Sequence, residues 1–103
     1  MTDSKTWFKL SLIEQMANIG SEVFRAIKWR IKNPSDSQIA FYRSLDLFNL
    51  TLADPKNIYR LREIARAKEY FAGWFTSDPV YPATAKSWNQ YFFQFNLASR
   101  LRT

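Results

Sequence analysis

The sequence predicts an all-α protein, an antiparallel four-helix bundle folded as a single domain of 103 residues. Three observations carry that reading. Apolar residues recur at three- and four-residue spacings in four separate stretches, the period of a helix with one buried face. The strongest breakers fall between those stretches, in "KNPSDSQ", "ADPKN" and "SDPVYPAT". Only "DPVYP" has extended character, and its two prolines bar it from a central strand.

The first helix is predicted over about residues 11–31, after an N-terminal extension of residues 1–10. Ser11 and Glu14 stand three apart, the spacing of a capping box. Leu12, Met16, Val23 and Ile27 share a face, with Phe24 and Ala26 at its edges. Gly20 lies near the same side, as the site of a close helix contact or as a plain loss of helix propensity. Pro34 restrains Asn33 and ends the run. The second helix covers about 35–52, with Phe41, Leu45, Phe48 and Leu52 on its core side. Asp54 caps the third, about 55–75, and Pro55 takes its first position. Its core side is read as Ile58, Leu61, Ile64, Ala65 and Ala72. Tyr59, Glu63, Arg66, Tyr70 and Trp74 form a second side. The fourth helix, about 84–100, turns Trp88, Tyr91, Phe92, Phe95 and Ala98 inward.

A bundle helix buries one stripe, yet several of these helices carry apolar residues on the far side as well. Ile39, Leu47 and Leu50 lie opposite the core side of the second helix, and Phe93, Leu97 and Leu101 opposite that of the fourth. Trp29 stands among polar residues of the first. A patch of such side chains needs cover. The leading expectation is a homo-oligomer interface. A different protein partner, or cover by "WFKL" and "VYP" of the same chain, are the alternatives.

The formal charge is +6, and residues 56–103 hold +5 of it, with eight basic and three acidic side chains. That asymmetry favours an anionic partner, DNA or RNA among them. Two basic groups qualify as contacts: Arg25, Lys28 and Lys32 at the end of the first helix, and Lys56, Arg60, Arg62 and Arg66 on the third. Tyr59, Tyr70 and Trp74 interleave with the second group, so that arginine can meet phosphate while an aromatic ring stacks on a base. Local salt bridges through Glu63 and Glu69 are the structural alternative. Arg30 projects near the apolar side and is expected to reach a carboxylate, Glu22 or Asp46.

The chain has no cysteine and no histidine. Disulfides, thiolate metal sites and imidazole chemistry are therefore excluded. No glycine-rich phosphate loop or dinucleotide fingerprint occurs. No catalytic residue, cofactor or metal site is expected, and enzymatic activity is not. No window approaches 18 consecutive apolar residues, so no integral membrane span is expected. The start does not read as a signal peptide, and a cytoplasmic location fits.

The stretches "LIEQMANIGSEVFRAIKWR", "RSLDLFNLTLADPKNIYRLREIARAKEYF" and "YFFQFNLASRLR" resemble a family of short, uncharacterised prokaryotic helical proteins. The resemblance spans most of the chain after residue 10. Its most distinctive parts are "ANIGSEV" and "LTLADPKN". In size, helix count and basic charge the chain is also similar to the accessory proteins of diversity-generating retroelements. Those are basic helical bundles that form rings and cooperate with a reverse transcriptase and nucleic acid. The second similarity is architectural and transfers no residue. The expectation is a non-enzymatic homo-oligomeric adaptor or scaffold, an accessory to a nucleic-acid-processing system. The alternative is direct nucleic-acid binding by the basic, aromatic third helix.

Overall fold

The computed structural model describes residues 3–76 and 84–101. Among these, every regular element is helical: α1 (Ser4–Phe8), α2 (Leu12–Lys28), α3 (Pro34–Ala53), a 3-10 segment (Pro55–Arg60), α4 (Leu61–Phe75) and α5 (Ala85–Leu101). No described helix is long and apolar enough to cross a membrane. Most of the loop "SDPVYPAT", with its "VYP", lies outside the described residues, so cover of an apolar face by that loop does too.

The helix starts follow local chemistry. Ser11 and Glu14 make both bonds of the capping box, at 3.1 Å and 3.0 Å. Asn33 caps α3 by accepting from the Asp36 N–H, and Pro34 occupies the first turn, where its missing N–H costs nothing. Thr84 and Ser87 cap α5 reciprocally, each side-chain oxygen accepting from the other residue's backbone N–H at 3.0 Å. α2 ends at Lys28, three residues short of the predicted limit. Trp29 is its C-cap, and the chain turns over Arg30 to Lys32 before Asn33 restarts it.

The core gathers Met16, Ile19, Val23 and Ala26 of α2, Ala40, Phe41 and Phe48 of α3, Ile64, Ala67 and Phe71 of α4, and Trp88 and Phe92 of α5. α2 lies between α3 and α5. The α2–α3 pair runs antiparallel: Ser37 near the start of α3 donates to the Ala26 carbonyl near the end of α2, while Gln15 near the start of α2 donates to Asp54 beyond the end of α3. Small residues on α3 (Ser37, Ala40, Ser44) are buried along its stripe, and Ser44 returns its hydroxyl to the Phe41 carbonyl. Gly20 settles between its two readings. A Cβ there would stand 2.7 Å from Cβ of Phe92, so the missing side chain is what lets α5 approach α2.

Three expectations need correction. The predicted third helix is two elements. Residues 55–60 wind as a 3-10 segment with three residues per turn, which shifts the angular phase before α4 begins. Ile58 and Leu61 are therefore not core residues: they are 61% and 37% exposed, and Ala65 is exposed as well. Ile64, Ala67 and Phe71 form the buried stripe instead. Next, residues 3–10 are more than an extension. Trp7 of α1 is buried in the core, and Phe8 and Leu10 pack against it. Finally, among the described residues Arg30 reaches neither Glu22, which pairs with Arg25, nor Asp46: its guanidinium donates to the Phe75 carbonyl at 3.0 Å and lies over the Trp74 and Phe75 rings, 4.9 Å and 5.1 Å from their centroids. It clamps the C-terminal end of α4, where carbonyls lack helical partners.

"LTLADPKN" builds a buried polar knot. The Trp7 indole N–H donates to Thr51 Oγ1, which donates to the Leu47 carbonyl. Gln15 Nε2 donates to the Trp7 carbonyl and to Asp54. Asn57 Nδ2 donates to Gln15 Oε1 and to the Thr51 carbonyl, both at 2.9 Å. Lys56 pairs with Asp54 and donates to the Phe8 carbonyl at 3.0 Å. Burial pushes the Asp54 carboxyl up, but hydrogen bonds from Lys56 and Gln15 and the Lys56 charge outweigh it and hold the group below its usual range.

Candidate functional site

α4 and α5 meet through rings more than through closely approaching backbones. Phe71 and Trp88 stand edge to face, with centroids 5.5 Å apart. On the outer side of that seam lies a groove of about 760 Å³. Its α4 wall comes from a helical repeat: Arg62, Arg66 and Tyr70 follow one another at four-residue steps, with Glu63 and Ala67 in the next row. Tyr59 and Arg60 extend the wall from the 3-10 segment. Ser87, Trp88 and Tyr91 form the α5 wall.

Among the described residues the groove therefore collects three arginines, three tyrosines and one acid. Tyr59 is 96% exposed and Tyr70 48%. Tyr59 is therefore not a packing residue in the ordinary sense, whereas just over half of Tyr70 is covered. Arg60 pairs with Glu63 at 3.2 Å. Burial, with the Glu63 charge added, pushes the Tyr91 hydroxyl up to about 12, so it stays protonated at neutral pH. Trp88 is buried, and its Nε1–H has no hydrogen-bond acceptor among the described residues.

Of the residues expected to contact an anion, the fold brings Tyr59, Arg60, Arg62, Arg66 and Tyr70 to this one groove. The others go elsewhere. Lys56 belongs to the polar knot. Trp74 is partly buried beneath Arg30. Arg25 pairs with Glu22 at 2.8 Å, Lys28 lies over the Trp29 ring, and Lys32 sits in the turn after α2. Ser87, Trp88 and Tyr91 complete the site. Trp88 and Tyr91 carry a core-side spacing in the sequence, which hides that they also reach the rim.

A second groove, of about 590 Å³, runs between α2 and α5 and is lined by Phe24, Arg25, Lys28, Trp29, Phe92 and Phe93, among others. The predicted interface residues divide around it. Trp29 and Phe93 line it, and Phe93 is 60% exposed. Leu97 and Leu101 continue as exposed residues along α5, and Ile39 is half exposed on α3. Leu47 and Leu50 are partly buried against the core, so they are not free surface residues. Among the described residues no three carboxylates gather where they could hold a metal ion.

No family model matches the chain, and neither a curated protein nor a solved structure matches it significantly. The site alone carries the functional argument.

Proposed function

We propose that the protein is a non-enzymatic, single-domain helical protein that binds single-stranded nucleic acid in the α4–α5 groove. In this reading the four long helices form an antiparallel four-helix bundle whose α4–α5 seam is left open. The observation that carries the proposal is the convergence of Arg60, Arg62 and Arg66 with Tyr59, Tyr70 and Tyr91 on one concavity. Arginine neutralises phosphate, and tyrosine faces stack on unpaired bases; neither needs a defined sequence. A groove between helices suits an unpaired strand better than a duplex, whose bases are already stacked. Among the described lining residues the one aliphatic hydroxyl, that of Ser87, donates to the Thr84 carbonyl, so the role assigned is binding rather than turnover.

Fluorescence anisotropy with a labelled 20-nucleotide strand, the matching duplex and a structured RNA tests this. The single strand should bind most tightly. Affinity should fall with salt at a log–log slope set by the phosphates engaged, roughly 0.7 per contact. Arg62→Glu with Arg66→Glu should abolish binding while helicity by circular dichroism is retained. Unchanged affinity in that double variant, or no binding to any probe at low salt, refutes the proposal.

A second reading, a homo-oligomeric adaptor or scaffold, is favoured by the exposure of Phe93, Leu97 and Leu101 on α5 and by Phe24, which lines the same groove as Phe93. The two readings join if assembly multiplies the basic groove, as the resemblance to ring-forming accessory proteins suggests. Light scattering after size exclusion measures the mass. Phe93→Asp should reduce it if α5 is the interface, and a strictly monomeric wild type removes this reading.

A further inference from the structure

Resting on the nucleic-acid reading of the same groove, we infer that Glu63 makes the site selective for an unpaired guanine. A groove that serves phosphate alone gains no affinity from an acid in its lining, because a carboxylate repels phosphate. Glu63 is nevertheless the one acidic residue of the lining among the described residues, flanked by Arg60, Arg62 and Arg66. Its only hydrogen bond among the described residues comes from Arg60 to Oε2. Oε1, and the remaining lone pair of Oε2, are open to a ligand, and the side chain is 54% exposed.

The chemistry of the base edges selects the ligand. An ionised carboxylate only accepts, and it best meets two adjacent donors. Guanine presents such a pair, N1–H and the N2 amino group, side by side on its Watson–Crick edge. Adenine, cytosine, thymine and uracil each offer a single donor group there, beside acceptors that a carboxylate repels. Guanine's other edge carries O6 and N7, the acceptors that an arginine fork fits. Arg62 and Arg66 lie one helical turn apart on the same wall as Glu63, placed to take that edge or the neighbouring phosphate. Tyr59, 96% exposed, offers a ring face for the base plane, as expected where unpaired bases are stacked and read on their edges. Glu63 thus contributes discrimination, and the arginines and tyrosines contribute affinity. A first-turn carboxylate also complements the α4 dipole, a role that is blind to base identity and so separable by experiment.

The test uses the full chain and labelled 12-nucleotide thymidine strands carrying two central guanines, adenines, cytosines, inosines or no substitution. The guanine strand should bind about 5- to 150-fold more tightly than the adenine, cytosine and all-thymidine strands, the range one bidentate base contact provides. Inosine lacks the N2 amino group and should lose most of that advantage. Glu63→Gln should level the series while all-thymidine binding stays equal or improves, since the variant removes a negative charge from the groove. Equal affinity across the wild-type series overturns the inference and leaves the nucleic-acid reading standing. A guanine preference that survives Glu63→Gln, with circular dichroism unchanged, overturns the role of Glu63. No binding by any strand overturns both.

Discussion

Gly20→Ala should destabilise the protein, although alanine is the better helix former. The propensity term alone favours the substitution by about 1 kcal/mol in a helix interior. Opposing it is the new Cβ, which would stand 2.7 Å from Cβ and 3.1 Å from Cγ of Phe92. The first of those atoms cannot turn aside, because it is fixed to the α5 backbone. Relief requires α5 to move outward or α2 to bend. Overpacking of this kind costs about 1–3 kcal/mol, so the net expectation is a loss of about 0–2 kcal/mol. For a chain of this size each 1 kcal/mol moves the melting temperature by about 4–8 °C. Urea melts followed by circular dichroism should show a lower midpoint at unchanged slope, and Gly20→Val a larger drop. A midpoint that rises by the full propensity gain would show that Gly20 is only a weak point in α2, and would refute the close α2–α5 approach.

Phe71→Ala should cost about 3–5 kcal/mol, because its ring is fully buried among Phe41, Phe75 and Trp88; Leu61→Ala should cost much less, and paired urea melts compare the two. Asn57→Ala should cost about 1–3 kcal/mol, since the buried Gln15 carbonyl oxygen loses its described donor, and the same melts report it. Asp54, with its folded pKa lowered, adds stability that is present above its unfolded value of 3.8 and lost as pH falls through the folded value. Urea midpoints from pH 5 to pH 2 should therefore fall more gently in Asp54→Asn than in the wild type, from a lower start. Tyr91, raised to about 12, works in the opposite direction: between pH 10 and about 12 the unfolded chain loses the proton first, so stability should fall over that window and do so less in Tyr91→Phe.

How far the sequence could be read depended on the range of the interactions. Features set within one turn were legible. The capping box at Ser11 and Glu14 forms both of its bonds, and Trp88 and Phe92 face the core as their spacing requires. Four of the five described α-helices are visible as periodic stretches. The misreading of Ile58 and Leu61 came from running one 100° rotation through a segment that begins as a 3-10 turn. Gln15 and Asn57 were invisible for another reason. A polar residue on a helix reads as solvent-facing, and their partners lie 42 residues apart in sequence. The candidate groove was half legible. Its α4 wall follows from four-residue steps, whereas its α5 wall needs the tertiary placement of Ser87, Trp88 and Tyr91.

The polar knot also constrains the order of events during synthesis. Trp7 waits for Thr51, 44 residues downstream, and Phe8 for Lys56, 48 residues downstream. At translation speeds of roughly 5–20 residues per second, the first aromatic pair is made several seconds before its hydrogen-bonding partner exists. During that interval α1 has five residues, too few to hold a helix by itself. The N-terminal segment can complete these bonds only once the chain through Lys56 has been made, so its docking follows synthesis of the α2–α3 pair. A nascent chain stalled before Asn57 would thus carry an undocked, chaperone-accessible Trp7–Phe8 pair, and one stalled after the knot has left the ribosome would not.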